Sequence, residues 1–168
     1  MSNRTRIVND PADLVPLLQI FKSDAHKRVF NILLNSWKTG DEIRDLLNAD
    51  IDGSLEMLKK GGLIETKWRM PEPGKTPEVE YHASYSKFRA DFQCSISDMC
   101  DVIRIATSDD EKLREIADIM EDEVRSGNIS LQNLSRTLKQ SPVFLRGIAK
   151  RSQNIVVKGH RFELVRKE

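Results

Sequence analysis

The sequence predicts a mainly helical α+β protein with small β-hairpins, and three observations lead there. Apolar residues recur at helical spacing through most of the 168 residues, with capping residues before the runs and glycines after them. Two β-rich stretches interrupt the helices, near residues 64–83 and 155–165, each with a turn segment inside it. The elements that lead into each stretch come in the same order, so one small fold is used twice.

Composition narrows the class. With 39% hydrophobic and 32% charged residues the chain has the make-up of a folded, water-soluble, helix-rich protein. No apolar run approaches the ~20 residues of a membrane span. The start of the chain, MSNRTRIVNDPADL, has no apolar leader core, and two cysteines are too few for a disulfide framework. A reducing, cytoplasmic setting is expected. The net charge of +1 hides an uneven distribution: residues 1–100 carry −1, residues 101–126 carry −5, and residues 127–168 carry +7. A basic carboxy-terminal region of this kind is an electrostatic footprint for an anionic partner; a solvated charged face with no partner is the plain alternative.

Element by element, Leu14, Leu17, Leu18 and Phe21 mark a first helix, with Asp13 as its cap and Pro16 tolerable in its first turn. Ser23 caps a second helix carrying Val29, Phe30, Ile32, Leu33 and Leu34. Thr39-Gly40-Asp41-Glu42 has the capping-box form, and Ile43, Leu46 and Leu47 follow on one face. Ile51, Leu55 and Leu58 mark a further helix, stopped by Gly61-Gly62. Residues 63–69 and 79–83 read as a hairpin around a Pro- and Gly-rich loop. Helix, helix, turn, helix and hairpin together spell a winged helix-turn-helix, with Trp37 and Trp68 packing at its helix-to-wing junction.

From Tyr85 the period reads as helical again. Phe88, Phe92, Ile96, Met99, Ile103 and Ala106 follow at spacings of 4, 4, 3, 4 and 3, close to a heptad seam. The seam buries either within the chain or against a second copy. Asp109-Asp110 opens a helix running to about Ser126, Ser130 caps one with Leu131, Leu134 and Leu138, and Ser141-Pro142 opens one with Phe144, Leu145 and Ile148. Residues 155–165 close the chain as a hairpin turning near Lys158-Gly159. A shift of 91 carries Thr39, Ile43 and Leu47 onto Ser130, Leu134 and Leu138, and a shift of 93 carries Ile51 and Leu55 onto Phe144 and Ile148. Two tandem winged helix-turn-helix units are therefore expected, at 10–84 and 108–168, joined by a long linker or dimerisation helix at 85–107, with a turn two residues longer in the second unit.

The stretch Leu55-Glu-Met-Leu58-Lys-Lys-Gly-Gly-Leu-Ile64, with the helices before it and Tyr81 on the return strand, resembles the ArsR family of winged-helix repressors. The segments Phe88-Arg-Ala-Asp-Phe-Gln-Cys94 and Phe144-Leu-Arg-Gly-Ile-Ala-Lys-Arg151 are similar to a larger ArsR-like group of archaeal-type regulators. The resemblance implies a dimeric, double-stranded-DNA-binding transcriptional regulator. Two departures stand out. Where such regulators often present Ser-Arg-His, this chain has Asp52, Gly53 and Ser54, so its first recognition helix is acidic, and carboxylates repel phosphate. The Cys-x-Cys of the metal-sensing members is missing from the same helix.

On the 93-residue shift Arg146 stands where Gly53 does, and Arg146, Lys150 and Arg151 line the second recognition helix. These cations, with Lys158, His160 and Arg161 on the hairpin and Arg136 and Lys139 on the preceding helix, are the expected main DNA contacts. Ser54, Lys59, Lys67, Arg69 and Lys75 are the candidates in the first unit, and Phe88, Phe92, Ile96, Met99 and Ile103 the candidate dimer contacts. No cofactor or metal site is expected: Cys94 and Cys100 fall about 240° apart on a helix and read as small buried thiols, and His26, His82 and His160 are scattered. No phosphate loop, nucleophile elbow or zinc-protease motif is present in the sequence, so an enzyme is not expected. Two function classes remain, a DNA-binding regulator and a winged-helix protein-interaction module in a transcription, replication or chromosome-organising assembly. A small effector is left open.

Overall fold

The computed structural model describes residues 3–165. In chain order the elements are β1 (Thr5–Val8), a 3-10 turn (Pro11–Asp13), α1 (Leu14–Phe21), α2 (Asp24–Leu33), β2 (Lys38–Thr39), α3 (Gly40–Leu47) and α4 (Asp52–Lys60). Then come β3 (Ile64–Arg69), β4 (Glu78–Ala83), β5 (Lys87–Ala90), α5 (Ile96–Thr107) and α6 (Asp110–Arg125). The last four are α7 (Leu131–Leu138), α8 (Pro142–Arg151), β6 (Ile155–Lys158) and β7 (Arg161–Leu164). The protein is thus mainly helical with small β-sheets, as the sequence predicts. It divides into two compact units, one from the chain start to Ile7 with Ile20–Ala90, the other from Val8–Gln19 with Asp91 onward.

The first unit is a winged helix-turn-helix. Its three-stranded sheet runs β2-β4-β3, with Thr39 opposite Glu80 and Ile64 opposite Ala83. Local signals set the helix ends. The Ser23 hydroxyl accepts from the His26 amide, and Thr39 and Glu42 form the full capping box, which fixes the start of α3 directly on β2. At the end of α4, Gly62 has φ +65 while Leu63 donates back to Leu58 and Gly62 to Lys59, the bond pair of a Schellman stop. Ile20, Val29, Leu33, Ile43, Ile51 and Leu58 fill the core between the helices and the sheet.

The second unit repeats the order. α7 lies 91 residues after α3 at both ends, and each ends on a residue in the left-handed region, Asn48 at φ 48 and Lys139 at φ 54. Ser130 does what Thr39 does: its hydroxyl caps α7 while its backbone bridges Arg161 on the hairpin. The turn between the paired helices is 48–51 in the first unit and 139–141 in the second. It is one residue shorter, not two longer, because Ser141-Pro142 starts α8 at once. The register of α8 on α4 is therefore 90, which sets Leu145 and Ile148 on Leu55 and Leu58, all four buried, and Arg146 on Glu56 rather than Gly53.

Three expectations change. The helix expected from Tyr85 begins only at Ile96, where the Ser95 hydroxyl accepts from the Asp98 amide. Ahead of it, Phe88 lies on β5, paired with β1, and Phe92 lies in the connection. A spacing of four satisfies the strand period as well as the helical one, and the N-terminal β1 supplies the deciding partner. Trp37 does pack inside the first unit, stacked on His82 at 5.1 Å, but Trp68 is 68% exposed: it shares a face of β3 with buried Ile64 but stands four residues further along, next to the wing loop. Cys100 is exposed and Cys94 half-buried, so neither is a core thiol.

α5 belongs to the core of the second unit, where Val102, Ile105 and Ala106 meet Leu145, Ile148 and Ala149 of α8 with Val15 of α1. Gly147 permits that approach: a Cβ there would sit 2.9 Å from Ile105 Cδ1 and 3.5 Å from Val15 Cγ2. Glycine to alanine inside a helix ordinarily stabilises by up to about 1 kcal/mol, but overpacking a closed core costs about 1–3 kcal/mol. Gly147→Ala should lower the thermal midpoint; a rise would show that Ile105 yields freely.

Candidate nucleic-acid interface

The helix expected to enter a DNA groove, α8, is a covered helix. Val143, Leu145, Gly147, Ile148 and Ala149 are buried, and the segment 8–19 of the same unit lies on it, with Pro11, Ala12 and Val15 buried as well. Its cations are taken up in ion pairs. Arg146 grips Asp10, with Nε 2.7 Å from one oxygen and Nη2 donating to the other at 3.3 Å. Lys150 Nζ stands 3.0 Å from Asp13. Arg151 donates to the Ile105 carbonyl and, at 2.7 Å, to Asp110. The sequence expectation has these three facing a duplex; in the structure each is engaged by a carboxylate of its own unit, two of them from 8–19, while Lys150 stays exposed.

The unit's other basic residues are arranged differently. Arg136 on α7, Lys139 at its C-cap, and His160 and Arg161 on the hairpin are exposed and form no ion pair among the described residues. Lys158 is also exposed, although it reaches Glu163 at 2.6 Å across the hairpin. Backbone pairing brings the two elements together. Leu131 N donates to His160 O at 3.0 Å, and Phe162 N to Ile129 O at 2.9 Å, so the hairpin tip is fastened to the start of α7. Between them, at the start of α8, is an open cleft of about 580 Å³ lined by Ser130, Gln132, Ser135, Arg136, Pro142 and His160, with Leu131 at its floor. No carboxylate lines it among the described residues.

The matching face of the first unit has the opposite chemistry. The 91-residue shift carries Gln132, Ser135 and Arg136 onto Asp41, Arg44 and Asp45, and the start of α8 corresponds to Asp52. Arg44 is held between Asp41 and Asp52, 2.8 Å from the latter, and the two carboxylates raise its affinity for its proton. Behind α3, Arg69 bonds Glu42 at 2.7 and 3.0 Å and Glu80 at 2.7 Å. Those bonds, with the Thr39 amide, bring the Glu42 carboxyl down to about 2. At Glu80 burial pushes upward, but hydrogen bonds from Arg69 and Lys67 outweigh it and the carboxyl is lowered. Lys67 is also committed, 4.0 Å above the Trp37 ring and 3.2 Å from Glu80.

Among the remaining candidates, Ser54 is buried and shares a 2.7 Å hydrogen bond with His26 Nδ1, whose proton affinity burial lowers. It faces the core and not a groove, because Ser54 precedes buried Leu55 on the inner side of α4. Lys59 and Lys60 are exposed at the end of α4, and Lys75 pairs with Glu72 on the exposed wing loop. Of the expected dimer contacts, Ile96, Met99 and Ile103 do share a face of α5, with Ile96 85% and Ile103 49% exposed. Phe88 and Phe92 lie outside that helix. The sequence reading missed Gln132, Ser135 and Pro142, although the 91-residue shift would have set them against the acidic positions of α3 and α4. Asp10 and Asp13 left no local signal, standing more than 130 residues from their partners.

Among the described residues no three His, Cys, Asp or Glu side chains are placed to hold a metal ion, and no helix is long and apolar enough to cross a membrane. The family model described as ArsR transcriptional regulator matches residues 8–166, both units included. No curated protein matches the chain.

The lowered Glu42 carboxyl has a consequence for stability. Its folded value of about 2 lies below the ordinary 4.5, so its contribution is complete above 4.5 and lost as pH falls toward 2. Glu42→Gln should lower the urea midpoint at neutral pH and flatten the fall in stability between those values. An unchanged acid limb would remove the pair from the stability of the first unit.

Proposed function

With residues 8–166 matched, the chain belongs to the ArsR transcriptional regulator family, and we propose that it regulates transcription by holding duplex DNA on the α7, α8-start and hairpin face of its second unit. One observation carries the reading. The two units share a fold, yet the face that is acidic and self-neutralised in the first, through Asp41, Arg44 and Asp52, has in the second a cleft with no carboxylate among its described lining residues, Glu163 standing outside it on Lys158. Backbone phosphates are met in helix-turn-helix proteins by cations, hydroxyls and helix starts. Arg136, Lys139, His160 and Arg161, with Lys158 beside them, supply the cations; Ser130 and Gln132 supply neutral donors.

In this reading Arg146, Lys150 and Arg151 hold the second unit together and do not touch DNA. Affinity comes chiefly from the exposed cations of α7, its end and the hairpin, because Arg146, Lys150 and Arg151 of the basic segment 127–168 are already neutralised by carboxylates. Bases are read elsewhere or through DNA shape, since α8 is covered and the outward side of α4 is acidic. A homodimer formed through Ile96, Met99 and Ile103 of α5 would present the face twice, matching a two-fold operator. The setting is cytoplasmic. A second reading, docking of a protein partner on the first unit, is favoured by the acidic α3 and α4 surface together with exposed Leu46 and Trp68.

Salt separates the two. Binding to a duplex from the protein's own promoter region should weaken steeply as salt rises, and each of Arg136→Ala and Lys139→Ala should make the slope shallower by about 1. Lys59→Ala with Lys60→Ala should change it less. A flat salt profile would move the function to the protein-docking reading. Ile96→Asp with Ile103→Asp should convert a sedimenting dimer to monomer; a wild-type monomer would remove the dimer from the proposal.

A further inference from the structure

Resting on that reading, we infer that the cleft at Arg136 and His160 is an oxyanion seat that takes free phosphate or a phosphomonoester as well as a phosphate of the DNA backbone, so that the free anion displaces the duplex. The donors around it carry this. The Ser130 hydroxyl oxygen accepts from the Asn133 amide and keeps its own proton to donate. Gln132 adds an amide, Arg136 a guanidinium with no carboxylate on it, and His160 an imidazole on the opposing hairpin. Ser135 is the exception, because its proton already goes to the Gln140 carbonyl at 2.6 Å.

Among the described residues the set is rich in donors and has no carboxylate acceptor. That pattern suits a ligand made of acceptor oxygens and repels a cation. Guanidinium geometry suits phosphate, to which it can donate two parallel bonds. The cleft, at about 580 Å³, is larger than a phosphate group requires and open on one side. It therefore accommodates both a free anion with a small organic substituent and a phosphate that continues into a nucleic-acid strand. The first unit offers no such seat, because Arg44 is already occupied by Asp41 and Asp52 in the corresponding place.

The test uses the full chain and a fluorescently labelled duplex, with inorganic phosphate titrated against sodium chloride at matched ionic strength. Phosphate is expected to weaken the complex by about tenfold more than chloride, the worth of one charge-assisted hydrogen bond pair. Arg136→Gln and, separately, His160→Ala should shrink that difference, with each variant's thermal midpoint confirming that it is folded. In the absence of DNA, the phosphorus resonance of phosphate should broaden with the wild-type chain and less with either variant. Equal effects of phosphate and chloride on a duplex that does bind would overturn the inference and leave the DNA reading standing. Phosphate broadening without any duplex binding would support the seat as a free-anion site and overturn the DNA reading. No broadening and no competition would leave the cleft without this role.

Discussion

The two carboxylates that segment 8–19 lays against α8 determine what the second unit can be. Asp10 on Arg146 and Asp13 on Lys150 accompany Pro11, Ala12 and Val15, which are buried against the same helix and α5. Ion pairs that are a third or more exposed contribute modestly, and the Asp10 pair is the more enclosed of the two. The apolar contact supplies most of the adhesion, and the charges fix its register. With both in place α8 is a core helix with an ionic rim. The cations of α7, its end and the hairpin, by contrast, are exposed, and of these only Lys158 has a carboxylate partner among the described residues.

The duplicated fold separates geometry from charge. Thr39 and Ser130 perform the same double task, capping a helix and joining a sheet edge, while Asn48 and Lys139 end those helices in the same left-handed conformation. Around this shared frame the surface residues diverge. In the first unit acidic side chains hold Arg44 and Arg69 in place, and Lys67 lies on Trp37. In the second unit the corresponding face has hydroxyls, amides and cations of which Lys158 alone is paired, with Glu163, among the described residues. Fold and surface charge have evidently been set by different demands, since caps and buried leucines are needed by any winged helix whereas face charge is decided by what docks there.

Reading the sequence recovered the frame because its signals are local. The capping box, the Ser-Pro helix start and the Gly-Gly stop act within about a helical turn, and each is found where expected. The stretch 85–95 reads as helix in the sequence because phenylalanines four apart fit a strand and a helix alike, and the strand partner of β5 is the distant β1. The helix repeat is legible in the sequence, but its register is not: Ile148 meets a leucine in either alignment, Leu55 at a shift of 93 and Leu58 at 90, and only the burial of Leu145 together with Ile148 selects 90.

The sequence by itself determined that this protein is a repeated winged helix with a basic carboxy-terminal region, since periodicity, caps and composition are properties of neighbouring residues. Tertiary structure decided which of those basic residues remain available. Whether an arginine faces solvent or a carboxylate depends on which distant segment folds over it, and a side chain's charge carries no record of that partner. Arg146 and Arg136 are chemically identical and stand one helix apart; only the placement of Asp10 makes the first a structural pin and leaves the second open.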